Sequence, residues 1–182
     1  MKFFEWLTKL KVNYGVSDME KLELTKPPVA KVQMLIRRPP AEVFRAFIDP
    51  EITRRFWFTK STGQLEVGKD ITWTWEMYDV SIAVQVKTIE PDRRIVIEWG
   101  NYGEMTEIEW IFEPYDNDKT YVRITNSGFT GDGDKVVRQS LDSTGGFTWV
   151  LAGLKALLEH GIELNAIVDA FPKGIVGSGN AG

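Results

Sequence analysis

One stretch near the C-terminus constrains the fold more than any other part of the chain. Between Ser143 and Gly161, apolar residues recur at steps of three and four. This spacing is typical of an amphipathic α-helix with a single apolar stripe. Most of the remaining sequence has strand-like patterns, so the helix has to bury its stripe against a sheet. The stripe consists of Phe147, Val150, Leu151, Leu154, Leu157 and Leu158.

The beginning of this helix is open to two interpretations. The helix starts either at Asp134, with a break at Gly145 and Gly146, or at Ser143. The two adjacent glycines lack the lysine and the spacing of a phosphate-binding loop. We therefore expect them to let the helix pass close to the sheet, or to kink it. Gly161 is a signal for the C-terminal end.

Alternating apolar and polar residues before the helix predict a succession of strands. Turn sequences rich in Gly, Pro, Asn and Asp separate most of these runs, so neighbouring strands are expected to pair antiparallel. One face of the resulting sheet is apolar and has to be covered. The predicted strands span residues 29–38, 64–67, 71–77, 80–86, 95–99, 108–112 and 121–126.

Two short helices are predicted directly after the first strand. Pro40 suits the first turn of one helix, where its missing N–H is harmless. Asp49 and Pro50 suit the N-cap and first-turn positions of the other, which is predicted to run to about Phe56 or Trp57. The whole order predicts an α+β fold in which the sheet curls around the C-terminal helix and leaves a cavity between them.

The chain length of 182 residues fits one domain with terminal additions. We expect an N-terminal extension at residues 1–28, made of a short helix and a linker, then a domain at 29–172 and a flexible tail at 173–182. No stretch approaches the ~20 apolar residues of a membrane span. The N-terminus also lacks the continuous apolar region of a signal peptide, so the expected location is cytoplasmic.

Charge and composition exclude several classes of function. The formal net charge is −4 and no basic block occurs, which argues against a surface for nucleic acid. The chain has no cysteine and a single histidine, which excludes thiolate catalysis, Cys-type zinc sites and His-rich metal sites. We therefore expect neither a metal nor another cofactor. The histidine, His160, lies near the helix end, where the helix dipole favours its protonated form.

Four segments resemble a known family. They are residues 38–47 (RPPAEVFRAF), 50–57 (PEITRRFW), 90–99 (EPDRRIVIEW) and 145–155 (GGFTWVLAGLK). The family is named after the C-terminal domain of the activator of Hsp90 ATPase, within the wider group of START-like, polyketide-cyclase and Bet v 1-like proteins. The resemblance covers about residues 29–171 and implies the helix-grip fold.

The candidate site lies on the apolar face of the predicted sheet. Trp73, Trp75 and Met77 share one face of a strand, and Trp99 and Trp110 fall in phase on later strands. An apolar cavity with few polar groups is typical of a small-molecule site, although the same side chains could simply fill the core. The predicted cavity lining is Trp57, Trp73, Trp75, Met77, Trp99, Trp110, Leu151, Leu154 and Leu158, and the predicted rim is Arg54, Arg55 and Tyr102.

Three functions are compatible with these residues. The leading hypothesis is a binding protein for a hydrophobic or aromatic small molecule or lipid, without catalysis. The second is an enzyme of the cyclase or hydrolase type, in which hydroxyls of Tyr78, Tyr102 or Tyr121 face the cavity. No nucleophile–base–acid pattern is present, so no catalytic residue is assigned.

The third hypothesis is a chaperone-associated interaction module. The resemblance covers only one of the two domains of the Hsp90 activator, and 28 residues before the domain are too few to supply the other. We therefore do not expect stimulation of Hsp90. A homodimer is left open.

Overall fold

The computed structural model of the protein describes residues 23–100, 104–170 and 172. The described strands are β1 Ala30–Ile36, β2 Lys60–Ser61, β3 Asp70–Trp75, β4 Val80–Glu90, β5 Arg94–Gly100, β6 Thr106–Tyr115 and β7 Lys119–Ser127. The described helices are α1 Pro40–Ile48, α2 Pro50–Thr53, α3 Gly133–His160 and α4 Ala166–Asp169. The predicted N-terminal helix and C-terminal tail lie outside the described residues.

The strands form one antiparallel sheet in the order β1-β7-β6-β5-β4-β3-β2. Strands β3 to β7 are joined by short connections and pair with their neighbours in the chain, whereas β1 lies beside β7. The inner face of the curved sheet and the apolar face of α3 enclose the main core. The predicted α+β helix-grip fold is confirmed. No helix in the described parts of the chain is both long and apolar enough to cross a membrane.

The sequence patterns misplace two strand boundaries. Residues 64–67 are not a strand; the short edge strand is β2, whose Lys60 and Ser61 pair with β3. Strand β3 ends at Trp75, and a 3-10 turn spans Glu76–Tyr78. Asp79 then has φ +53°, a left-handed conformation that Asp tolerates better than most residues. Met77 is therefore not on the strand face, and its half-buried side chain packs against the core from the turn.

A hydrogen bond from the buried Thr53 hydroxyl connects the two short helices. Asp49 is the N-cap of α2, as predicted, and its carboxylate accepts a hydrogen bond from the Glu51 N–H at 3.0 Å. The fully buried Thr53 hydroxyl donates to the Ala46 carbonyl at 2.6 Å, which ties α2 to α1. Helix α2 ends at Thr53, earlier than predicted, and the N–H groups of Arg55 and Phe56 then bond three residues back and form turns.

Helix α3 is longer than either predicted version and has no break. It is capped at one end by the Asp132 carboxylate, which accepts from the Lys135 N–H at 2.8 Å, and at the other by Gly161 with φ +69°. A Cβ placed on Gly145 or Gly146 would meet no atom within 4 Å. The predicted close approach to the sheet at these glycines is therefore wrong.

The far end of α3 clamps the exposed edge of β1. The Lys155 ammonium donates to the Leu35 carbonyl at 2.8 Å, and the Arg37 N–H donates to the Glu159 carboxylate at 2.7 Å. Edge strands leave backbone groups unpaired, so these contacts satisfy part of that edge. Burial raises the pKa of Glu159, but hydrogen bonds from Lys155 and Arg37 outweigh it and lower the pKa to about 2.

Because of this contact, we expect the stability of the fold to fall at low pH, and we expect this loss to depend on the Glu159 carboxylate. A folded-state pKa of about 2, below the ordinary 4.5, means that the charged form stabilises the fold above about pH 4.5. That contribution is lost as the pH falls towards 2. We expect Glu159→Gln to lower the free energy of unfolding at pH 7 by roughly 2 kcal/mol and to flatten its pH dependence in this window. Urea unfolding at a series of pH values measures both effects.

A matched control is Glu113→Gln. Glu113 pairs with Arg123 on the surface, where its side chain is 45% exposed, so we expect a change of at most about 0.5 kcal/mol. Equal effects of the two substitutions would contradict the role given to Glu159.

Candidate functional site

Four tryptophans project from the inner face of the sheet. Trp73 and Trp75 lie on β3, Trp99 on β5 and Trp110 on β6, each at a position that alternates with outward-facing residues. All four are buried. The phase predicted from the sequence is therefore confirmed, although binding of a ligand by these residues stays a prediction.

These tryptophans belong to an aromatic cluster centred on Trp57. Its ring centroid lies between 4.8 and 6.3 Å from those of all the other members, in tilted or T-shaped geometries. Trp57 follows α2, whereas the other rings come from three strands, from the adjoining chain and from α3. The aromatic cluster consists of Trp57, Phe58, Trp73, Trp75, Trp99, Trp110 and Phe147.

The position of Trp57 depends on a close contact between α3 and the preceding residue. A Cβ on Gly153 would lie 3.2 Å from both the Cβ and the carbonyl oxygen of Phe56. A larger side chain would be crowded there, and glycine lets α3 pack directly on the segment that carries Trp57. Leu151 and Leu154, one on each side of Gly153, are buried in the same core, and Leu158 is partly buried at its margin.

The predicted rim residues take part in ion pairs. Arg54 pairs with Glu51 at 3.0 Å, and Arg55 pairs with Glu163 at 2.6 Å. The Arg55 pair attaches the segment after α3 to the loop after α2. Tyr102 lies outside the described residues.

The hydroxyls of Tyr78 and Tyr121 do not adopt the positions expected for an enzyme. The Tyr78 hydroxyl donates to the backbone carbonyl of Ile167, which fixes α4 against the 3-10 turn. Tyr121 alternates on β7 with the buried Thr120 and Val122, so it lies on the outer face of the sheet. The expectation that Tyr121 faces the cavity is wrong.

The sequence reasoning missed a buried polar group at one end of the core. Ser143 of α3 donates to the Asn126 side-chain oxygen at 2.9 Å. The Asn126 amide nitrogen donates to Thr106 Oγ1 at 3.0 Å and to the Glu107 carbonyl at 2.8 Å. Asn126 ends the strand predicted at residues 121–126, and its phase with the inward-facing Ile124 is a signal of its burial.

Two further polar side chains lie next to this group on α3. Burial raises the pKa of the Asp142 carboxyl, and the nearby Arg138 charge partly offsets this effect. The Gln139 side-chain oxygen is buried and has no hydrogen-bond partner among the described residues. Trp110 Nε1 is the only other buried side-chain nitrogen or oxygen without a hydrogen-bond partner among the described residues.

Two further ionisable side chains, Glu76 and His160, face solvent. Glu76 is exposed and pairs with Lys60 at 2.6 Å, and the Lys60 hydrogen bond lowers the pKa of Glu76. The His160 side chain is 63% exposed, and its Nε2 lies 3.9 Å from a Glu159 oxygen. Among the described residues, no group of three or more His, Cys, Asp or Glu could hold a metal ion.

A curved antiparallel sheet that packs an aromatic interior against a long C-terminal helix defines a helix-grip protein. Residues 37–159 match the family described as "Activator of Hsp90 ATPase homolog 1-like protein". The chain belongs to this family, which confirms the resemblance noted in the sequence. No match was found among the curated proteins.

Solved structures show the same fold. SSP2350 from Staphylococcus saprophyticus has 31% identity and a TM-score of 0.65, with 75% of this chain and 96% of that chain covered. Aha1 from Colwellia psychrerythraea, solved as a dimer in solution, has 20% identity and a TM-score of 0.64, with 74% and 98% covered. DynU16, a protein in the dynemicin biosynthetic locus, has 18% identity and a TM-score of 0.65, with 74% and 48% covered.

The contrast between two glycines of α3 tests the packing around Trp57. Gly→Ala in a helix gains about 1 kcal/mol from helix propensity when the methyl group has space. We expect Gly145→Ala to raise the free energy of unfolding by about 0.5–1 kcal/mol, because its Cβ meets nothing within 4 Å. Gly153→Ala forces its Cβ against Phe56, so we expect a loss of about 1 kcal/mol despite the same propensity gain. Urea unfolding measures both values, and equal stabilisation would contradict the assigned contact.

Proposed function

We propose that this protein binds a hydrophobic small molecule with aromatic character between the sheet and α3. The observation that carries the proposal is the aromatic cluster, in which six other rings, most of them from distant parts of the chain, lie around Trp57. Flat rings offer large apolar contact area and suit a flat apolar ligand. The residues proposed to line the ligand site are those predicted from the sequence to line the cavity, with Met77 and Leu158 at its margin.

Two further observations support this proposal. The polar group of Asn126 and Ser143 lies one helical turn from Phe147, so the apolar interior has a polar end that could orient a ligand. DynU16, which shares the fold, comes from a biosynthetic locus for a small molecule. At the rim, Arg55 could admit a ligand by releasing Glu163 and with it the segment after α3.

The test compares an aromatic probe with a fatty acid. We expect fluorene at one hundred times its Kd to raise the melting temperature by about 5–10 °C, since that saturation adds about 2.7 kcal/mol to stability. Palmitate should have a smaller effect. Trp57→Leu should remove the shift, whereas Tyr115→Leu, an exposed aromatic residue at the end of β6, should keep it. Native mass spectrometry of the purified protein detects a co-purified ligand independently.

The proposal fails if neither probe raises the melting temperature of the unaltered protein and no ligand co-purifies. It also fails if the two substitutions change the shift equally while both variants still unfold cooperatively.

The second candidate is an enzyme of the cyclase or hydrolase type acting in the same interior. Asp142 favours it, because a carboxyl whose pKa is raised by burial suits a general acid, and Asp142 directly precedes Ser143, which donates to Asn126. This candidate expects hydrolysis of 1-naphthyl acetate that Asp142→Asn abolishes. If the unaltered protein and Asp142→Asn both hydrolyse this ester no faster than buffer alone, the enzyme candidate is rejected for this substrate class.

The related proteins favour two kinds of protein interaction, one with Hsp90 and one between two copies of this chain. The family description favours a chaperone-associated role as a third candidate, and an Hsp90 pull-down without binding would remove it. The Colwellia Aha1 dimer favours a homodimer, which sedimentation equilibrium at several protein concentrations tests directly.

A further inference from the structure

The side of α3 that faces away from the core is apolar along its middle. Residues 143–154 contain no ionisable side chain, although a surface helix normally presents charged residues to solvent. Leu141 is 67% exposed, and Trp149, about two turns further along, is 37% exposed. We define the outer patch as the uncharged residues on this side of the helix, which are Leu141, Thr148, Trp149 and Ala152, with Gly145 between them.

The shape of the outer patch suits a second helix. Single exposed leucines are common on protein surfaces, but here a large apolar side chain stands near each end of a strip of small residues. The strip is about 12 Å long, because each residue of an α-helix adds about 1.5 Å. A contiguous apolar surface of this kind marks an interaction site.

The chain before β1 joins the domain beside this patch. Ala30, the first residue of β1, is buried with Phe129 and with Val136 in the first turn of α3. Val136 precedes Leu141 by little more than one turn. Glu159, which accepts from the Arg37 N–H just after β1, lies about five full turns after Leu141 and therefore on the same side of α3. Strand β1 thus runs along the side of the helix on which Leu141 lies.

The N-terminal sequence has an apolar stripe that matches the length of the outer patch. Phe3, Trp6, Leu7 and Leu10 recur at steps of three and four, which spans about 10 Å in a helix. A helix this short is not stable alone in water, so it needs a surface on which to bury its stripe. The residues between this stripe and β1 reach up to about 60 Å when extended, so the chain is long enough to place the stripe on the patch.

The charge of this segment also favours docking on its own domain. Residues 1–11 contain three lysines and one glutamate, whereas the whole chain has a net charge of −4. The remainder of the chain is therefore acidic and attracts the basic segment. A covalent connection of this length holds the segment near the patch at an effective concentration that a separate partner reaches only at about millimolar levels.

We propose that residues 2–11 form a short helix that docks on the outer patch of the same chain, with its apolar stripe against Leu141 and Trp149. The docked segment forms an additional layer outside α3. This contact does not depend on a ligand in the interior, so it stands or falls separately from the proposed binding function.

A spin label on the segment tests this docking, because the chain has no cysteine and one introduced cysteine is labelled uniquely. Thr8→Cys places a nitroxide on the side of the segment opposite to its apolar stripe. In 15N spectra of the full chain, we expect the amide signals of Leu141 and Trp149 to lose most of their intensity. The signal of Tyr115, at the opposite end of β6 from Thr106, should keep its intensity. The same sample with the label chemically reduced gives the reference.

A mixed sample identifies the occupant of the patch. It contains 15N-labelled protein without a spin label and an equal amount of spin-labelled protein without 15N. Docking within one chain leaves the 15N signals of α3 unchanged in this mixture. A loss of intensity there assigns the patch to the segment of a second copy.

A pair of substitutions tests the same contact without a label. Leu141→Asp puts a charge into the outer patch, whereas Val67→Asp makes a similar change at an apolar residue of comparable exposure, 60%, in the loop before β3. Docking protects the segment from proteases, and cleavage reports how often it is undocked. We expect trypsin to cleave after Lys9 about tenfold faster in Leu141→Asp than in Val67→Asp, because the lost contact buries much of a leucine side chain. Mass spectrometry of the fragments measures both rates.

Each outcome decides the proposal. It is overturned if the spin label leaves the signals of Leu141 and Trp149 unchanged, if the mixed sample shows the loss, or if the two aspartate substitutions speed cleavage equally. It is supported if the loss occurs only within one chain and Leu141→Asp, but not Val67→Asp, removes it and exposes Lys9.

Discussion

The contact between α3 and Phe56 determines how the interior of this protein is built. Gly153 leaves space for the Phe56 backbone and Cβ within 3.2 Å of where its own Cβ would lie. Helix and loop can then pack without an intervening side chain, and the next residue, Trp57, enters the space between helix and sheet. Because Trp57 touches every other ring of the aromatic cluster, one missing methyl group organises seven large side chains.

Local patterns were sufficient for the parts of the fold that depend on periodicity. The alternation of Trp73, Trp75, Trp99 and Trp110 placed their side chains on the inner face correctly, and the stripe of α3 faces the core as predicted. Periodicity could not show where β3 ends. Met77 continues the alternation of β3, but it lies inside the 3-10 turn that the left-handed Asp79 closes, and only the pairing of Trp75 with Val80 reveals this.

Contacts between distant residues explain most of what the sequence could not predict. Gly145, Gly146 and Gly153 look equivalent in a helical pattern, yet of the three only Gly153 has a neighbour that would crowd a methyl group. Nothing in the local pattern around Glu159 indicates that its carboxylate accepts from the backbone of Arg37. The interior polar pair of Asn126 and Ser143 likewise joins β7 to α3, and no local pattern connects those residues.

The clamp between α3 and β1 also has a consequence for folding kinetics. Its two sides, Arg37 and Glu159, are separated by 122 positions in the chain, and β1 itself pairs with β7. Contacts between residues so far apart in the sequence form late and slowly, because the chain must lose conformational entropy before they can form. During synthesis, β1 therefore emerges long before either neighbour and remains an open strand edge until α3 is complete. Lys31 within β1 and Arg37 and Arg38 directly after it are charged, which suits them to keep that edge from pairing with other chains in the meantime.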